Sequence, residues 1–181
     1  GSGRENCVIA WQKKKRDEAA ASEGDQNLFG NWWDDIDKNI HNAVVRETEH
    51  TQAKSVIERY EWLGTYCNGP IAAYGIYFQG HLGGVVVYGA PSPPVVGASV
   101  CGPDHAGKVI QLARGACVHW AHQHAASKLI GASLQMIAQR GYRVAIAFSD
   151  PAAGEIGTVY QATNWLYCGL TEARQIGRAH V

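Results

Sequence analysis

The order of apolar and polar positions along the chain predicts alternating helices and strands. Glycine and proline are absent from residues 36–60, where apolar side chains recur near helical spacing, which predicts one long helix or two abutting helices. Two apolar runs, PIAAYGIYF and VVVYG, flank the turn QGHLGG and predict an antiparallel hairpin buried on both faces. The segment APSPPVVG predicts a loop, because its three prolines remove backbone donors.

The next part of the chain predicts a strand, a helix and a second strand. KVIQLARGACV (108–118) is typical of a central strand, with Gly115 as a bulge or a point of close approach. Residues 124–139 carry apolar side chains on one helical face and predict a helix that stops at Gly141. YRVAIAFS (142–149) predicts a short buried strand.

The segment DPAAGEIGTVYQATNWLYCG (150–169) predicts a turn, a helix over about residues 154–164, and a last strand, WLYCG. The complete order of elements indicates an α/β fold. Its mixed sheet would contain a βαβ crossover in the C-terminal half, since a strand, a helix and another strand follow one another there.

The two ends of the chain predict segments outside the main domain. Residues 1–35 show no sustained periodicity and predict a linker or the remnant of an upstream element. Its run KKKR could contact phosphate, but a solvated run is the preferred interpretation. The last residues, IGRAHV (176–181), are what a common sequencing adapter encodes, and the alternative is a natural basic tail. We therefore expect one domain over residues 36–175.

Composition and charge indicate a one-domain protein without a membrane span or an overall positive charge. With 181 residues, 46% of them hydrophobic, the chain is long enough for one sizeable core. Sixteen basic residues balance sixteen acidic ones, so any nucleic-acid contact needs a local site and not a global field. Five widely spaced cysteines without a CxxC pair favour a reducing, cytoplasmic setting, and no apolar run has the length of a membrane span.

A candidate phosphate site follows the predicted central strand. The loop before a crossover helix exposes free backbone N–H groups, which bind phosphate or pyrophosphate well. Here the loop VHWAHQHAASKLI (118–130) carries the small residues Ala125 and Ala126, the hydroxyl of Ser127 and the charge of Lys128. The alternative is an ordinary helix start that contains a serine.

Three histidines in this loop, His119, His122 and His124, suggest a metal site, since imidazole binds several metals. No acidic or thiol partner is adjacent to them in the sequence. Solvated or stacking histidines are therefore the preferred interpretation, and we predict no metal site.

Four further polar or aromatic residues are candidates. Arg114 lies inside an apolar strand and needs a partner, which is either a bound phosphate or a carboxylate such as that of Asp150 or Glu155. Asp150 follows a strand at the edge where open α/β sheets bind ligands, although a turn role is also natural for Asp before Pro. Glu61 and Trp62 end the first predicted helix, where a carboxylate is otherwise ordinary surface.

Two motifs make the chain resemble a known family. The predicted order of strands and helices is similar to that of GNAT acyltransferases. Within it, GEIGTVYQATNWLYCG resembles a pattern of the phage Mom proteins, in which an Asp and a glycine-rich turn precede IYQATNW-Y-G. RYEWLG stands where those proteins carry a motif like KYHYSG, just before a hairpin. The similarity covers residues 50–170.

The resemblance implies a GNAT-like fold, with a mixed, mostly antiparallel sheet flanked by helices. It also implies an enzyme that adds an acyl-derived, carbamoylmethyl-type group to the exocyclic amine of adenine in double-stranded DNA. Acetyl-CoA is the implied donor, and the modification would protect phage DNA from host restriction in the host cytoplasm. The sequence specifies neither a metal requirement nor an oligomeric state.

Residue by residue, the resemblance assigns catalytic roles to Asp150 and Tyr160, which keep the family's ten-residue interval. Arg114 and Ser127 match its acyl-CoA contacts. Glu61 stands where the family motif has a His considered catalytic, and a carboxylate whose pKa is raised by burial could serve as a base there.

Chemistry on adenine requires the base to leave the duplex stack. Trp62, Tyr160 and Trp165 are candidates to stack on such a flipped base, and core packing is the alternative, preferred for Trp165. Two other functions remain open on the same fold: an N-acetyltransferase for a small amine or a protein, and a binding module without turnover.

Overall fold

A computed structural model describes residues 11–24, 30–151, 154–155 and 157–170. In chain order the elements are α1 (Trp11–Gly24), β1 (Val44–Glu47), α2 (His50–Tyr60), β2 (Pro70–Phe78), β3 (His81–Gly89), α3 (Val95–Cys101), a 3-10 helix (Pro103–Lys108), β4 (Val109–Cys117), α4 (Ala125–Gln139), β5 (Val144–Ala147) and α5 (Thr158–Gln161). No helix in these ranges has both the length and the apolar character needed to cross a membrane. Residues 1–10 and the predicted adapter-derived tail, 176–181, lie outside the described residues, and the predicted domain limits stay predictions.

The five strands form one sheet in sequence order. Its first three neighbouring pairs are antiparallel, and β4 and β5 are parallel. The β2–β3 hairpin turns at Gln79 and Gly80, whose φ angles of 48° and 87° suit a two-residue hairpin turn. Seven consecutive residues are buried in each of these two strands, so both faces of the sheet are covered. The predicted hairpin and mixed, mostly antiparallel sheet are confirmed.

α4 carries the chain from β4 to the parallel strand β5, which confirms the predicted βαβ crossover. Its apolar face, including Leu129 and Ile137, is buried in the core. The hydroxyl groups of Tyr88 in β3 and Ser133 in α4 lie 2.9 Å apart, which satisfies both of these buried groups. Gly141, with φ of 94°, follows the end of the helix as predicted.

The sheet splits along β4. Residues Val109 to Leu112 pair with β5, but β4 continues to Cys117 and pairs there only with β3. At the split, Val87 pairs with Arg114 and Tyr88 with Leu112, which leaves Ala113 as an extra residue in a β-bulge. Gly115, the predicted bulge, instead pairs regularly with Val86. The two parallel strands therefore separate beyond Leu112.

The predicted first helix is correct only in its second half. Residues 36–43 form turns, and β1 and α2 follow them as separate elements. The Asp37 side chain accepts a hydrogen bond of 2.9 Å from the backbone N–H of Asn39. Such local bonds compete with helix formation, and the β-branched Val44 and Val45 favour a strand. The absence of glycine and proline did not reveal this break.

The proline-rich segment is a loop only at its start. α3 begins at Val95, directly after Pro94. A helix tolerates proline at this end, because the first N–H groups have no partner within the helix. The prediction of a loop throughout APSPPVVG is therefore wrong for its last residues.

The predicted ending, a helix and a strand, is also corrected. α5 is one turn long, and residues 165–170 form no strand. Gly157 and Asn164, with φ of 73° and 60°, take left-handed conformations on either side of the helix. The N–H of Trp165 donates to the Tyr160 carbonyl at 3.0 Å, so the chain folds back on α5 and does not extend along β5.

Helix α1 forms where the sequence predicted a linker or a remnant. Its residues include the good helix formers Lys, Glu, Gln and Ala, but few apolar side chains, so the helical periodicity is weak. Ala19 is buried, and the Tyr60 hydroxyl donates to Glu23 Oε1 at 2.9 Å. Tertiary contacts with α2 therefore hold this helix.

Candidate active site

A cleft of about 620 Å³ opens where β4 and β5 separate. One wall is β4 from Gln111 to Cys117, and the residues after β5, Phe148 to Asp150, face it with part of α5. The C-terminal end of α2, the first half of α1 and parts of β3 and α4 complete the lining. Of the predicted site residues, the cleft brings together Glu61, Trp62, Arg114, Ala126, Asp150 and Tyr160.

Glu61 and Arg114 form an ion pair in the cleft. Glu61 follows the last turn of α2, where its N–H donates to the Ile57 carbonyl, and only 7% of its surface is exposed. Arg114 Nε lies 3.5 Å from Glu61 Oε2 and donates to the Thr65 carbonyl at 2.9 Å. Arg114 Nη1 donates to the carbonyl of Ala113 in the bulge at 2.7 Å. Of the carboxylates considered from the sequence, neither Asp150 nor Glu155 is the partner in this pair.

Burial changes the protonation of Glu61. Desolvation raises the pKa of its carboxyl to about 7, the nearby Glu155 raises it further, and Arg114 opposes the shift. Within the described residues, Oε2 of Glu61 has no hydrogen-bond partner. Near neutral pH this carboxyl group therefore changes protonation readily, which is the property of a general acid or base.

Unlike the Glu61 carboxyl, the Tyr160 hydroxyl does not change protonation near neutral pH. Burial raises the pKa of its hydroxyl to about 12, and the negative charges of Glu155 and Glu61 act in the same direction. The hydroxyl is thus protonated at neutral pH and available as a hydrogen-bond donor. The Tyr160 ring packs on Trp165, with ring centroids 5.1 Å apart. Asp150 lines the same cleft with an exposed side chain, and its carbonyl accepts the N–H of Glu155 at 3.0 Å.

The predicted phosphate site is only partly at the cleft. Ala126, in the first turn of α4, lines it, whereas Ala125 is fully buried and Ser127 is not part of the wall. Lys128 points elsewhere: its ammonium donates to the carbonyls of Ile40 at 2.6 Å and Ala43 at 2.7 Å. The side chain therefore fixes the turn before β1.

The two tryptophans also differ. Trp62 is half-buried and lines the cleft, in a position to contact a ligand. Trp165 packs behind Tyr160 and is not part of the lining. Its indole Nε1 is buried without a hydrogen-bond partner in the described ranges.

The loop histidines do not converge. The His119 ring lies edge-on to Trp33, with centroids 4.9 Å apart, and burial lowers its pKa. The rings of His122 and His124 are 5.3 Å apart. Nowhere in the described part of the chain do three or more His, Cys, Asp or Glu side chains form a group suited to a metal.

Sequence reasoning missed the contribution of α1 to the cleft. The backbone N–H of Gln12 donates to Glu155 Oε1 at 3.1 Å, and its side chain bonds to the Tyr60 carbonyl and the Trp62 N–H at 3.0 and 3.3 Å. Arg16 also lines the cleft. The basic run that includes Arg16 was the one local signal, and it did not place the helix at the site, because only the packing of α1 brings these residues there.

Comparison with solved structures finds the fold of acetyltransferases. An aminoglycoside N-acetyltransferase, AAC(6')-Iy, in complex with CoA, aligns with a TM-score of 0.53 at 15% identity over 74% of this chain and 93% of its own. A second match is the aminoglycoside acetyltransferase meta-AAC0020, from an uncultured soil metagenomic sample, in complex with trehalose. It aligns with a TM-score of 0.48 at 13% identity, over 73% of this chain and 99% of its own.

A search among curated proteins finds no match. The sequence model of the Mom protein family, by contrast, matches residues 42–178. This range starts just before β1 and includes Glu61, Arg114, Asp150 and Tyr160. The predicted enzyme class, a transferase on a GNAT-type fold, agrees with the family and with the fold. Because the match covers most of the chain and all four of these cleft residues, the chain belongs to the Mom protein family.

Proposed function

We propose that this protein modifies DNA by transferring an acyl-derived group to the exocyclic amine of adenine. The observation that carries the proposal is the cleft itself. In a member of the Mom family, it joins a carboxyl group with a pKa of about 7, Glu61, to a protonated hydroxyl, Tyr160, and the carboxylate-bearing Asp150. These are the groups that proton transfer during acylation of an amine requires.

The proposed roles of Glu61 and Tyr160 follow from the protonation states of their side chains. The adenine amine is a poor nucleophile, so its attack is assisted when ionised Glu61 accepts the departing proton. Tyr160, which stays protonated, donates a hydrogen bond to negative charge that develops at the reacting group. Trp62 offers an aromatic face to a base flipped out of the duplex.

The cleft carries donors suited to the phosphates of a CoA thioester. Helix α1 contributes a buried guanidinium nitrogen, Arg16 Nε, without a hydrogen-bond partner among the described residues. Such a nitrogen needs an acceptor, and a phosphate is well suited to guanidinium. Arg114 and Ala126 line the same cleft. Acetyl-CoA is the proposed donor. Attack of the amine on its thioester carbonyl would form the C–N bond, break the C–S bond and release CoA as the thiol, while Glu61 takes the amine proton.

The biological role follows from the same chemistry. An adduct on the adenine amine alters the groove edge that restriction enzymes read. The protein would act on double-stranded DNA in the cytoplasm of the host cell and protect phage DNA from cleavage.

Mass spectrometry of nucleosides tests the proposal. The protein is expressed in a bacterium, and the cellular DNA is digested and compared with DNA from cells that express Asp150→Asn. We expect an adenine adduct only with the wild-type protein. A soluble, folded wild-type protein that leaves adenine unmodified contradicts the proposal. Thioester cleavage by purified protein with a small amine, but not with DNA, would favour an N-acetyltransferase instead.

A further inference from the structure

Helix α1 adds basic side chains to the cleft from outside the family-matched residues. Lys13 and Arg16 both line the cleft, whereas the family match begins at residue 42. The cleft therefore has a wall that the matched part of the chain does not encode.

This wall is fixed in place at both ends. Gln12, Arg16, Ala19 and Glu23 are spaced by four, three and four residues, which places them on one helical face. Gln12 bonds to the end of α2 and to Glu155 near the start of the helix. Near its end, Glu23 pairs with Arg59 and accepts the Tyr60 hydroxyl. Arg16 is held between these two anchors.

No ion pair among the described residues neutralises the charges of this wall. In the described part of the chain, neither Lys13 nor Arg16 forms an ion pair or a side-chain hydrogen bond, and Arg16 Nε is buried. A buried donor without an acceptor destabilises the protein, and the effect is larger for a charged group. This arrangement is typical of a site completed by an anion.

The residues on which the charge of Arg16 acts place it near the C-terminal end of β4. Its charge opposes the rise that burial causes in the pKa of Cys117, at the C-terminal end of β4, and adds to the lowering of the pKa of His119. Ala126 lies across the cleft in the first turn of α4. Arg114, by contrast, is already engaged by Glu61 and by two backbone carbonyls. Of the two arginines that line the cleft, Arg16 is thus the one whose buried Nε has no acceptor among the described residues.

We propose that Arg16, assisted by Lys13, binds the phosphate groups of the acyl donor. The inference rests on the proposed function, because it takes the donor to be a phosphate-bearing thioester. A guanidinium presents paired donors that match phosphate oxygens, and an ammonium three residues earlier on the same helix adds charge. The basic run for which the sequence left both solvation and phosphate contact open is then part of the donor site.

Calorimetric titration with acetyl-CoA tests this assignment. Arg16→Gln should weaken binding by about tenfold or more, as expected for the loss of a charge-assisted contact, and Lys13→Gln should have a smaller effect. Lys15→Gln is the matched control, because it removes one charge from the same helix at a position outside the cleft lining. Arg16→Lys keeps the positive charge but lacks the paired N–H donors of the guanidinium, so it should bind acetyl-CoA with intermediate affinity.

A second ligand separates phosphate binding from damage to the cleft. S-acetylpantetheine carries the thioester without phosphates, so Arg16→Gln should leave its affinity unchanged. Equal loss of affinity for both ligands overturns the inference, as does unchanged affinity for acetyl-CoA. Circular dichroism and thermal melting establish that each variant is folded.

Duplex DNA is the other possible source of phosphate. Fluorescence anisotropy with a labelled duplex should show equal DNA affinity for wild type and Arg16→Gln. Weaker DNA binding with unchanged acetyl-CoA binding overturns the inference in favour of a DNA contact. Wild-type protein that binds no acetyl-CoA also overturns it. Acetyl-CoA binding that depends on Arg16, without an adenine adduct in cells, upholds it while the proposed function fails.

Discussion

At the scale of the residue, the buried carboxyl group of Glu61 links stability to activity. The pKa of this group is raised from 4.5 to about 7, so the folded protein holds a proton that the unfolded chain has lost between these values. The stability that this proton confers is complete below about pH 4.5 and is lost as the pH rises through 7. Catalysis by a base requires the opposite state, so the ionised form is both active and less stable.

Glu61→Gln tests this relation. In urea denaturation, the wild-type free energy of unfolding should fall by up to about 3 kcal/mol between pH 5 and pH 8, and the variant should lack this dependence. Adduct formation by the wild type should rise through pH 7 and be abolished in the variant. Glu58→Gln, an exposed carboxylate on the same helix, is the control. Identical pH dependence in Glu61→Gln and wild type would show that Glu61 does not titrate there.

Tyr160→Phe removes the hydroxyl and keeps the ring that packs on Trp165. The expected result is a loss of adduct formation by roughly a hundredfold, the scale of one acid–base contribution, without loss of folding. Quantitative nucleoside mass spectrometry measures it. Tyr142→Phe, outside the cleft lining, should retain full activity. Full activity of Tyr160→Phe excludes a chemical role for the hydroxyl.

At the scale of the element, local signals predicted the elements whose ends are set by neighbouring residues. The hairpin, β4, α4 and β5 each combine an apolar run with a glycine or a change of period. β1 and α1 escaped prediction because partners distant in sequence stabilise them, β2 for the first and α2 for the second. The last strand was predicted from composition, but the chain folds back through Trp165.

Tertiary contacts give the Lys128 side chain, at the start of α4, a role different from the candidate one in the sequence. The sequence makes it a candidate phosphate ligand at the start of a helix, and in the structure its ammonium donates to the carbonyls of Ile40 and Ala43. Lys128→Met should lower the free energy of unfolding by about 1–3 kcal/mol, because both carbonyls lose a donor. Urea denaturation measures this change, with Ser127→Ala as the neighbouring control. Unchanged stability with weaker acetyl-CoA binding would restore the phosphate role.

At the scale of the whole molecule, the candidate site joins residues that the sequence keeps far apart. Glu61, Arg114 and Tyr160 come from α2, β4 and α5, and the motif resemblance identified them individually. Their ion pair and their shifted pKa values depend on burial and distance, which a sequence pattern does not contain. Arg16 lies outside the motif altogether, so only the folded arrangement reveals it.

The split of the sheet also bears on how the protein avoids association. Beyond Leu112, the side of β4 that faces away from β3 has no strand partner in the described ranges, so an edge strand lies in the middle of the sheet. Unpaired edges tend to add strands from other chains. Here residues of α1 and α5 line the cleft on that side of β4. A foreign strand would have to displace the helix proposed to bind the donor before it could pair with this edge.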